Sequence, residues 1–170
     1  MPVLRWCRFS ETDPYSNLAT EEVLFDSMSD TDLILLFYVN DDCLVIGKHQ
    51  NPWREIRVPR ARQMGIPIIR RMSGGGTVYH DIGNLVFSYM DQKDRLDRGL
   101  NLRIIHDALN DVGIDAEIRG TYDLYVGSGK ISGNAFCFRK NRGVHHGTLL
   151  IDTDLARLRG VLRAGSDGIQ

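Results

Sequence analysis

The residues that could do chemistry are densest between Arg70 and Asp81, where the chain reads Arg-Arg-Met-Ser-Gly-Gly-Gly-Thr-Val-Tyr-His-Asp. Three successive glycines allow the backbone to bring its N–H groups close to a bound anion. Arginine beside such a turn offers a planar fork of donors for a carboxylate or phosphate. A plain turn between two strands would explain the glycines alone. The adjacent arginines and the His80-Asp81 pair favour an anion site.

Lys130 is the second candidate, since it follows the turn Gly127-Ser128-Gly129 and precedes the small residues Ser132-Gly133-Asn134-Ala135. An ammonium there could stabilise charge on a reacting phosphate or acyl carbonyl. The alternative is a solvated lysine in a turn. The segment is not a phosphate-binding P-loop, because position 125 is Tyr and Lys130 is followed by Ile. A dinucleotide fingerprint is also excluded, because strand-forming residues follow the triple glycine.

The histidines and cysteines narrow the chemistry further. His145 and His146 are adjacent in a predicted strand, so they point to opposite faces and only one can line a given site. The three cysteines form no C-x-x-C pair, which argues against a disulfide framework or a structural zinc site. A Ser-His-Asp hydrolase is weakly supported, because no G-x-S-x-G elbow presents a serine.

Charge is distributed unevenly along the chain. Residues 1–43 contain nine acidic and two basic side chains, whereas the net charge of the whole chain is only −1. Five arginines and no acid lie between Ile56 and Met72, which indicates either a solvated face or a contact with a nucleotide or an acidic protein. They are Arg57, Arg60, Arg62, Arg70 and Arg71.

Several classes of protein are disfavoured. No nucleic-acid-binding motif is present, and the pI of about 6.5 is far from the basic range typical of duplex binders. No apolar run approaches the roughly 20 residues that span a bilayer, and the first residues do not resemble a secretory signal. We therefore expect a cytoplasmic protein without a membrane segment or a nucleic-acid partner.

Periodicity predicts an α+β fold, with helices flanking a mainly antiparallel or mixed sheet, in a single domain over residues 1–170. Helices are expected from Asp13-Pro14 onward, over Pro59–Met64, Asn101–Val112 and Leu155–Ala164. In the first helix Leu18, Val23, Leu24, Phe25 and Met28 fit helical spacing. Strands are expected at Val3–Phe9, Ile66–Met72, Thr77–His80, Asn84–Met90, Glu117–Arg119, Tyr122–Val126, Lys130–Phe138 and Val144–Ile151. Leu33–Asn40 and Cys43–Lys48 are predicted to form a hairpin around Asp41-Asp42.

Five blocks in order resemble the lipoate-protein ligase A family. They are Asn17-Leu18-Ala19-Thr20-Glu21-Glu22, Val45 to Trp53, Arg70 to Asn84, Lys130 to Ala135, and His145 to Leu150. The resemblance implies a catalytic domain with the fold shared by biotin and lipoate ligases. It implies activation of lipoate by ATP and Mg²⁺ to lipoyl-adenylate, and transfer to a carrier lysine. The implied carriers are lipoyl domains of 2-oxoacid dehydrogenase complexes or the glycine cleavage H protein.

The resemblance also assigns roles to residues. Lys130 is the implied catalytic residue, bridging the acyl carboxylate and the α-phosphate. The implied lipoate site comprises Leu18, Glu22, Arg71, Ser73, His80, Lys130, Ala135 and His146. The implied ATP and adenylate site comprises Arg71, Gly74, Gly75, Gly76, Thr77, Val78, Tyr79, Asn84, Asp123, Lys130 and Thr148. Asp123 is also the candidate Mg²⁺ ligand.

The chain departs from the family pattern in places, and two alternatives stay open. Tyr122 stands where many ligases have Asn, and Cys137 where an Arg is frequent. Relatives often continue into a loop and a small C-terminal domain, so we expect this chain to lack that part or to use a separate polypeptide. An octanoyl or lipoyl transferase of the same fold would need a nucleophilic cysteine in loops that contain none here. A non-catalytic lipoyl-binding module is the other alternative.

Overall fold

Two sheets carry the fold in the computed structural model, which describes residues 3–163 of the chain. The helices and strands are, in order, β1 (Val3–Arg8), α1 (Pro14–Ser27), β2 (Asp32–Val39), β3 (Cys43–Ile46), α2 (Pro52–Glu55), α3 (Val58–Gln63), β4 (Ile68–Arg70), β5 (Val78–His80), β6 (Asn84–Gln92), α4 (Arg98–Asp111), β7 (Ala116–Arg119), β8 (Asp123–Val126), β9 (Gly129–Arg139), β10 (Arg142–Leu150) and α5 (Leu155–Val161). Among these residues, no helix is both long and apolar enough to cross a bilayer.

The larger sheet has seven strands in the order β1-β2-β6-β10-β9-β8-β7. Its β1 and β2 are parallel, and every other neighbouring pair is antiparallel. The smaller sheet has the order β4-β3-β5, with β3 parallel to β4 and antiparallel to β5. The predicted α+β fold with a mixed sheet and flanking helices is therefore confirmed.

The predicted hairpin between β2 and β3 is wrong. β2 pairs with β1 and β6, whereas β3 crosses into the smaller sheet to pair with β4 and β5. At the crossing the Asp41 N–H donates to Thr12 O rather than across a hairpin turn. All four residues of β3 are buried, which is typical of a strand covered on both faces. A strand so covered cannot be a solvated hairpin arm.

Apolar clusters place the elements around the larger sheet. Phe25 of α1 and Met28, the residue that caps its end, pack with Ile34, Leu36 and Met90 on one face. On the opposite face, α4 contributes Leu102 and Ile105, which pack with Phe87, Leu124 and Leu149. The smaller sheet forms a third cluster with α3, α5 and Ile56, the residue that follows α2. The site described below lies on the face covered by α1 and the smaller sheet.

Helix boundaries follow their capping residues. Asp13 caps α1 as predicted, since its carboxylate accepts from Ser16 N at 2.7 Å. α4 begins three residues earlier than predicted because Asp97 caps it through Leu100 N. α2 was not predicted, and Asn51 caps it through Trp53 N. The expected end of the last helix at Ala164 lies outside the described residues.

The buried side of α1 differs from its predicted apolar side. Val23, expected to be buried, is 64% exposed. Phe25 is buried as predicted, and the other buried positions of the helix are Pro14, Asn17 and Glu21. Asn17 donates from Nδ2 to the backbone oxygens of Glu11 and Val39. This helix therefore presents polar groups as well as apolar ones to the interior, which is expected of an element that borders a polar site.

Candidate active site

Arg71 holds the glycine loop, defined here as Ser73–Gly76, in place. Its guanidinium donates to the backbone oxygens of Val45 at 3.0 Å, Gly74 at 2.6 Å and Gly76 at 2.8 Å. Its Nε donates to Ser73 Oγ at 2.9 Å. These bonds use four of the five N–H donors of the side chain. The structure therefore shows Arg71 shaping the loop, and its predicted contacts with lipoate and adenylate stay predictions.

The loop lies directly against the segment after β3. A Cβ added to Gly47 would be 2.0 Å from Gly75 O, so only glycine allows this approach. Gly75 has φ of 92°, in the left-handed region that glycine favours. Lys48 N donates to Ser73 O at 2.7 Å, and Arg70 donates from Nη1 to the Gly47 carbonyl at 2.8 Å. Two neighbouring arginines thus hold the two backbone segments together.

The Gly74 and Gly76 carbonyl oxygens of the loop accept from Arg71, and the N–H groups of its three glycines remain. In the part of the chain that the structure describes, no hydrogen bond uses the N–H of Gly74, Gly75 or Gly76. Successive free N–H groups in such a turn form an anion-binding concavity. The arrangement suits a phosphate, as the sequence predicted for these three glycines.

A chain of buried hydrogen bonds runs from Ser73 through His146 to Glu21. His146 Nε2 lies 2.6 Å from Ser73 Oγ, and His146 Nδ1 lies 3.1 Å from Glu21 Oε1. Burial opposes ionisation of Glu21, but the interaction with His146 outweighs it and lowers the pKa of that carboxyl. The order of groups is that of a hydrolase triad. Ser73 is only 1% exposed. These hydrogen bonds therefore orient the glycine loop, and they do not present Ser73 as a nucleophile.

Glu21 was not among the predicted site residues, whereas Glu22 was. Glu21 is 2% exposed, and Glu22 instead forms an ion pair with Arg139 at 2.9 Å. The sequence carried no signal that separates the two, because both lie mid-helix and side by side. His145 and His146 do point to opposite faces, since His145 stacks on Phe136 at 4.4 Å.

His80 lies in the same buried polar region. Burial, reinforced by the nearby Arg71 charge, lowers the pKa of His80 to about 3. Its Nδ1 bonds to Asn40 Nδ2 at 2.9 Å, while its Nε2 is buried and has no described partner. Burial also lowers the pKa of Arg71 to about 10, which still leaves this guanidinium charged near neutral pH. His80 is therefore neutral and retains an unused nitrogen.

A cavity of about 200 Å³ lies between α1 and the segment around β4. The predicted lipoate residues Leu18, Glu22 and Arg71 line it. Further lining residues are Tyr15, Ala19, Glu21, Ile69, Arg70 and Met72. Ala135 lies across the glycine loop, 3.9 Å from a Cβ placed on Gly75. Leu18, Glu22, Arg71 and Ala135 of the predicted lipoate site therefore lie close together, around this cavity and the glycine loop.

The predicted adenylate segment after the loop is anchored by α2. Glu55 accepts from both the N–H and the hydroxyl of Thr77, at 2.7 Å each. Val78 and Tyr79 continue into β5, and the Tyr79 hydroxyl donates to Asp42 at 3.0 Å. The Glu55 contact was not predicted, because it joins two stretches of the chain that are 22 residues apart.

Asn84 is fully buried, and its amide is only partly satisfied. Its Nδ2 donates weakly to Tyr79 O at 3.4 Å, and its Oδ1 has no described partner. A buried acceptor without a partner is uncommon and calls for an explanation. Asn84 is 0% exposed, so this oxygen is closed to a ligand in the structure.

A bulge in β9 controls the direction of Lys130. Leu124 pairs with Ser132 and Tyr125 with Lys130, so Ile131 is an extra residue in β9. Ile131 packs on the α4 side. Because side chains alternate along a strand, the extra residue turns Lys130 to the opposite face, the one that carries His146.

Lys130 and Asp123 form an ion pair of 3.0 Å, with the Lys130 side chain 18% exposed. Thr148 lies on the neighbouring β10 and accepts weakly from Gly133 N at 3.4 Å. Within residues 3–163 no described hydrogen bond joins this group to the glycine loop. No cluster of three or more metal-ligating side chains occurs there either.

The sequence matches the family described as lipoyl protein ligase A/B catalytic domain over residues 13–170. The structure is similar to that of Plasmodium falciparum LipL1 in complex with lipoate, with a TM-score of 0.86 and 30% identity, covering 95% of this chain and 52% of that one. It is similar to the bi-partite lipoate protein ligase of Thermoplasma acidophilum, studied with its E2 lipoyl domain, with a TM-score of 0.83 and 29% identity, covering 98% and 68%.

A lipoate-protein ligase A bound with ATP is also similar, with a TM-score of 0.79 and 30% identity, covering 95% of this chain and 70% of that one. The present chain thus spans about half the length of the LipL1 chain and about two thirds of the other two. The match over residues 13–170 and these structural likenesses show that the chain belongs to the lipoyl protein ligase A/B catalytic domain family.

Proposed function

We propose that this chain activates lipoate with ATP to form lipoyl-adenylate and then transfers the lipoyl group to a lysine of a carrier domain. The observation that carries the proposal is the glycine loop, in which the Gly74 and Gly76 carbonyls accept from Arg71 and the three glycine N–H groups have no partner among the described residues. Such a loop is prepared for a phosphate before any ligand arrives. The ATP-bound relative supports the nucleotide, and the lipoate-bound relative supports the acyl substrate.

The first step joins the lipoate carboxylate to the α-phosphorus, and pyrophosphate leaves. Negative charge grows on the phosphate oxygens in the transition state, where preorganised donors are most effective. We assign the loop N–H groups to the phosphate and Lys130 to the oxygens between carboxylate and phosphorus. Lys130 must leave Asp123 to reach them, and a partly exposed ion pair of this kind costs little to exchange.

The nucleotide and its metal also find matching groups. We place the adenylate along the backbone of Thr77 and Tyr79, and we assign Asn84 to the nucleotide side because its amide donates to the Tyr79 carbonyl. Mg²⁺ usually takes one or two carboxylates from a protein and the rest of its ligands from phosphates and water. Asp123 fits that requirement as the carboxylate beside Lys130, and the ion would neutralise charge on the phosphates.

In the second step the carrier lysine attacks the acyl carbon, an amide forms and AMP leaves. We propose lipoyl domains of 2-oxoacid dehydrogenase complexes or the glycine cleavage H protein as acceptors, supported by the Thermoplasma ligase studied with its E2 lipoyl domain. That ligase is bi-partite, and we propose a separate accessory polypeptide as a further partner of this chain. We also propose a cytoplasmic location.

The transferase alternative would need a reactive thiol on the enzyme. Burial raises the pKa of all three thiols, which makes each of them a poorer nucleophile near neutral pH. The three are Cys7, Cys43 and Cys137, and Cys43 is fully buried. The adenylate route requires no enzyme thioester and is the one that the site favours.

Substitution of Lys130 tests the proposal. Lys130→Ala should reduce pyrophosphate release with lipoate, ATP and Mg²⁺ by about 100-fold, the usual effect of losing one preorganised charge. The fold should survive, because Lys130 lies at a strand end beside solvent. Lys93→Ala, at an exposed position outside the site, is the matched control and should keep wild-type activity. Near-wild-type pyrophosphate release by Lys130→Ala would refute the assignment.

A further inference from the structure

A basic face lies beside the proposed active site and has no role in the chemistry. It is formed by α2, α3 and the end of α5, which pack together: Arg57 N donates to Val161 O at 2.8 Å, and Ile56 bridges to Leu162. We define this basic face by the exposed side chains Arg54, Arg57, Arg60, Arg62 and Arg159, with Trp53 among them.

Within residues 3–163, the arginines of the basic face have no acid to neutralise them. None of the five takes part in an ion pair of the described residues. Arg60 also lies against α5, with its Nε 3.8 Å from a Cβ placed on Gly160. Glu55, the acid on α2, is occupied by Thr77. Positive charge is therefore concentrated where no intramolecular contact requires it.

The basic face is joined to the site through α2. The residue after Arg54 is Glu55, which holds Thr77 of the proposed adenylate segment. Trp53, in the same helix, is 55% exposed. Exposed tryptophan and arginine are the residue types most enriched at sites that contribute strongly to protein binding. A partner bound here would lie beside the proposed adenylate segment.

We propose that the basic face docks the carrier domain through an acidic surface around its acceptor lysine. This inference rests on the proposed function, since an acyl group can reach a protein lysine only if that protein binds beside the site. Complementary charge steers such encounters and fixes their orientation. Nucleic acid is a poorer match, because the chain has a net charge of −1 and Trp53 is the exposed aromatic ring on this face.

The test reverses two charges that touch none of the proposed ligands. Arg57→Glu/Arg60→Glu is compared with Arg8→Glu/Arg103→Glu, which makes the same change of charge at exposed positions on β1 and α4. Formation of lipoyl-adenylate is measured with hydroxylamine, a small acceptor that converts the adenylate to lipohydroxamate and AMP. Hydroxylamine does not need to dock on the basic face. Transfer is read with a recombinant 2-oxoacid dehydrogenase lipoyl domain at low and high NaCl.

The basic-face variant should form lipohydroxamate at the wild-type rate and show a KM for the lipoyl domain raised about ten-fold at low salt. Wild-type KM should rise with NaCl, and the variant should lose most of that dependence. Replacing acidic residues of the lipoyl domain by lysine should restore transfer by the variant. The control variant should behave as wild type.

An unchanged KM, or an equal rise in the control variant, would overturn the docking proposal. The docking proposal would also be overturned if the basic-face variant bound the carrier normally but no longer bound polyuridylate RNA or anionic phosphatidylserine vesicles. Failure of the proposed function is distinguishable, because the wild-type chain would then form no lipohydroxamate. If no lipohydroxamate forms, the docking proposal is tested by calorimetric titration, which measures the affinity of the unmodified lipoyl domain for the wild type, the basic-face variant and the control variant.

Discussion

Acid should destabilise this protein in a pH range set by two buried histidines. Burial lowers the pKa of both His80 and His145 from the ordinary value of 6.5 to about 3. The unfolded chain therefore binds protons at these positions as the pH falls below 6.5, and the folded chain does not. The free energy of unfolding must then decrease with falling pH, from about 6.5 down to about 3.

The size of the effect follows from the shift. Each histidine contributes about 1.4 kcal/mol for every pH unit below its unfolded pKa, which gives about 2 kcal/mol at pH 5. The pair should therefore cost about 4 kcal/mol between pH 7 and pH 5, a large part of the stability of an ordinary domain. The pKa of the Glu21 carboxyl is also shifted, but downward, so its contribution is lost only at lower pH.

Urea unfolding at half-unit steps from pH 7 to pH 5 measures this slope. His145→Gln should remove about half of it, whatever its effect on stability at pH 7, because only the pH dependence is compared. His49→Gln, at an exposed position, should leave the slope unchanged. A free energy of unfolding that stays constant from pH 6.5 to pH 5 would show that these histidines are not held neutral by burial.

Two further predictions concern the loop and the thiols. Gly47→Ala should destabilise the protein by about 2 to 3 kcal/mol, because its Cβ would overlap the Gly75 carbonyl, whereas Gly74→Ala has open space and should keep the wild-type urea midpoint. Equal midpoints for the two variants would contradict the described loop contact. A variant in which Cys7, Cys43 and Cys137 are all alanine should still transfer lipoate, and acyl groups found on any of these thiols of the wild type by intact-mass analysis would instead support the transferase mechanism.

Local patterns in the sequence account for most of the elements. The continuous apolar run of β2 and the Asp13 cap of α1 are visible in the residues themselves, and the strand and the cap are both present. The pairing of β3 was not predictable from its neighbours, because a two-residue Asp-Asp connection suits a hairpin as well as a crossing between sheets. Partner choice there depends on what covers Cys43–Ile46 on both faces, and that covering comes from residues distant in the chain.

The site shows the same division. The glycines and Arg71 were identified by type and spacing, and they do lie together. Glu21 and Glu55 were missed because each acts on a residue far away in sequence, His146 and Thr77 respectively. The face on which Lys130 lies depends on one extra residue in β9. The pattern of polar and apolar residues in that stretch does not reveal this extra residue.

The contacts of Arg71 bear on how this protein can change over evolutionary time. One side chain satisfies carbonyls in two stretches, at Val45 and at Gly74 and Gly76. Lysine offers a single compact ammonium and cannot reproduce a planar fork that reaches both. Replacement of Arg71 during evolution would therefore require compensating substitutions in both stretches at the same time. We therefore expect saturation mutagenesis to find this position intolerant, and intragenic suppressors of a change there to map to the two backbone stretches it joins.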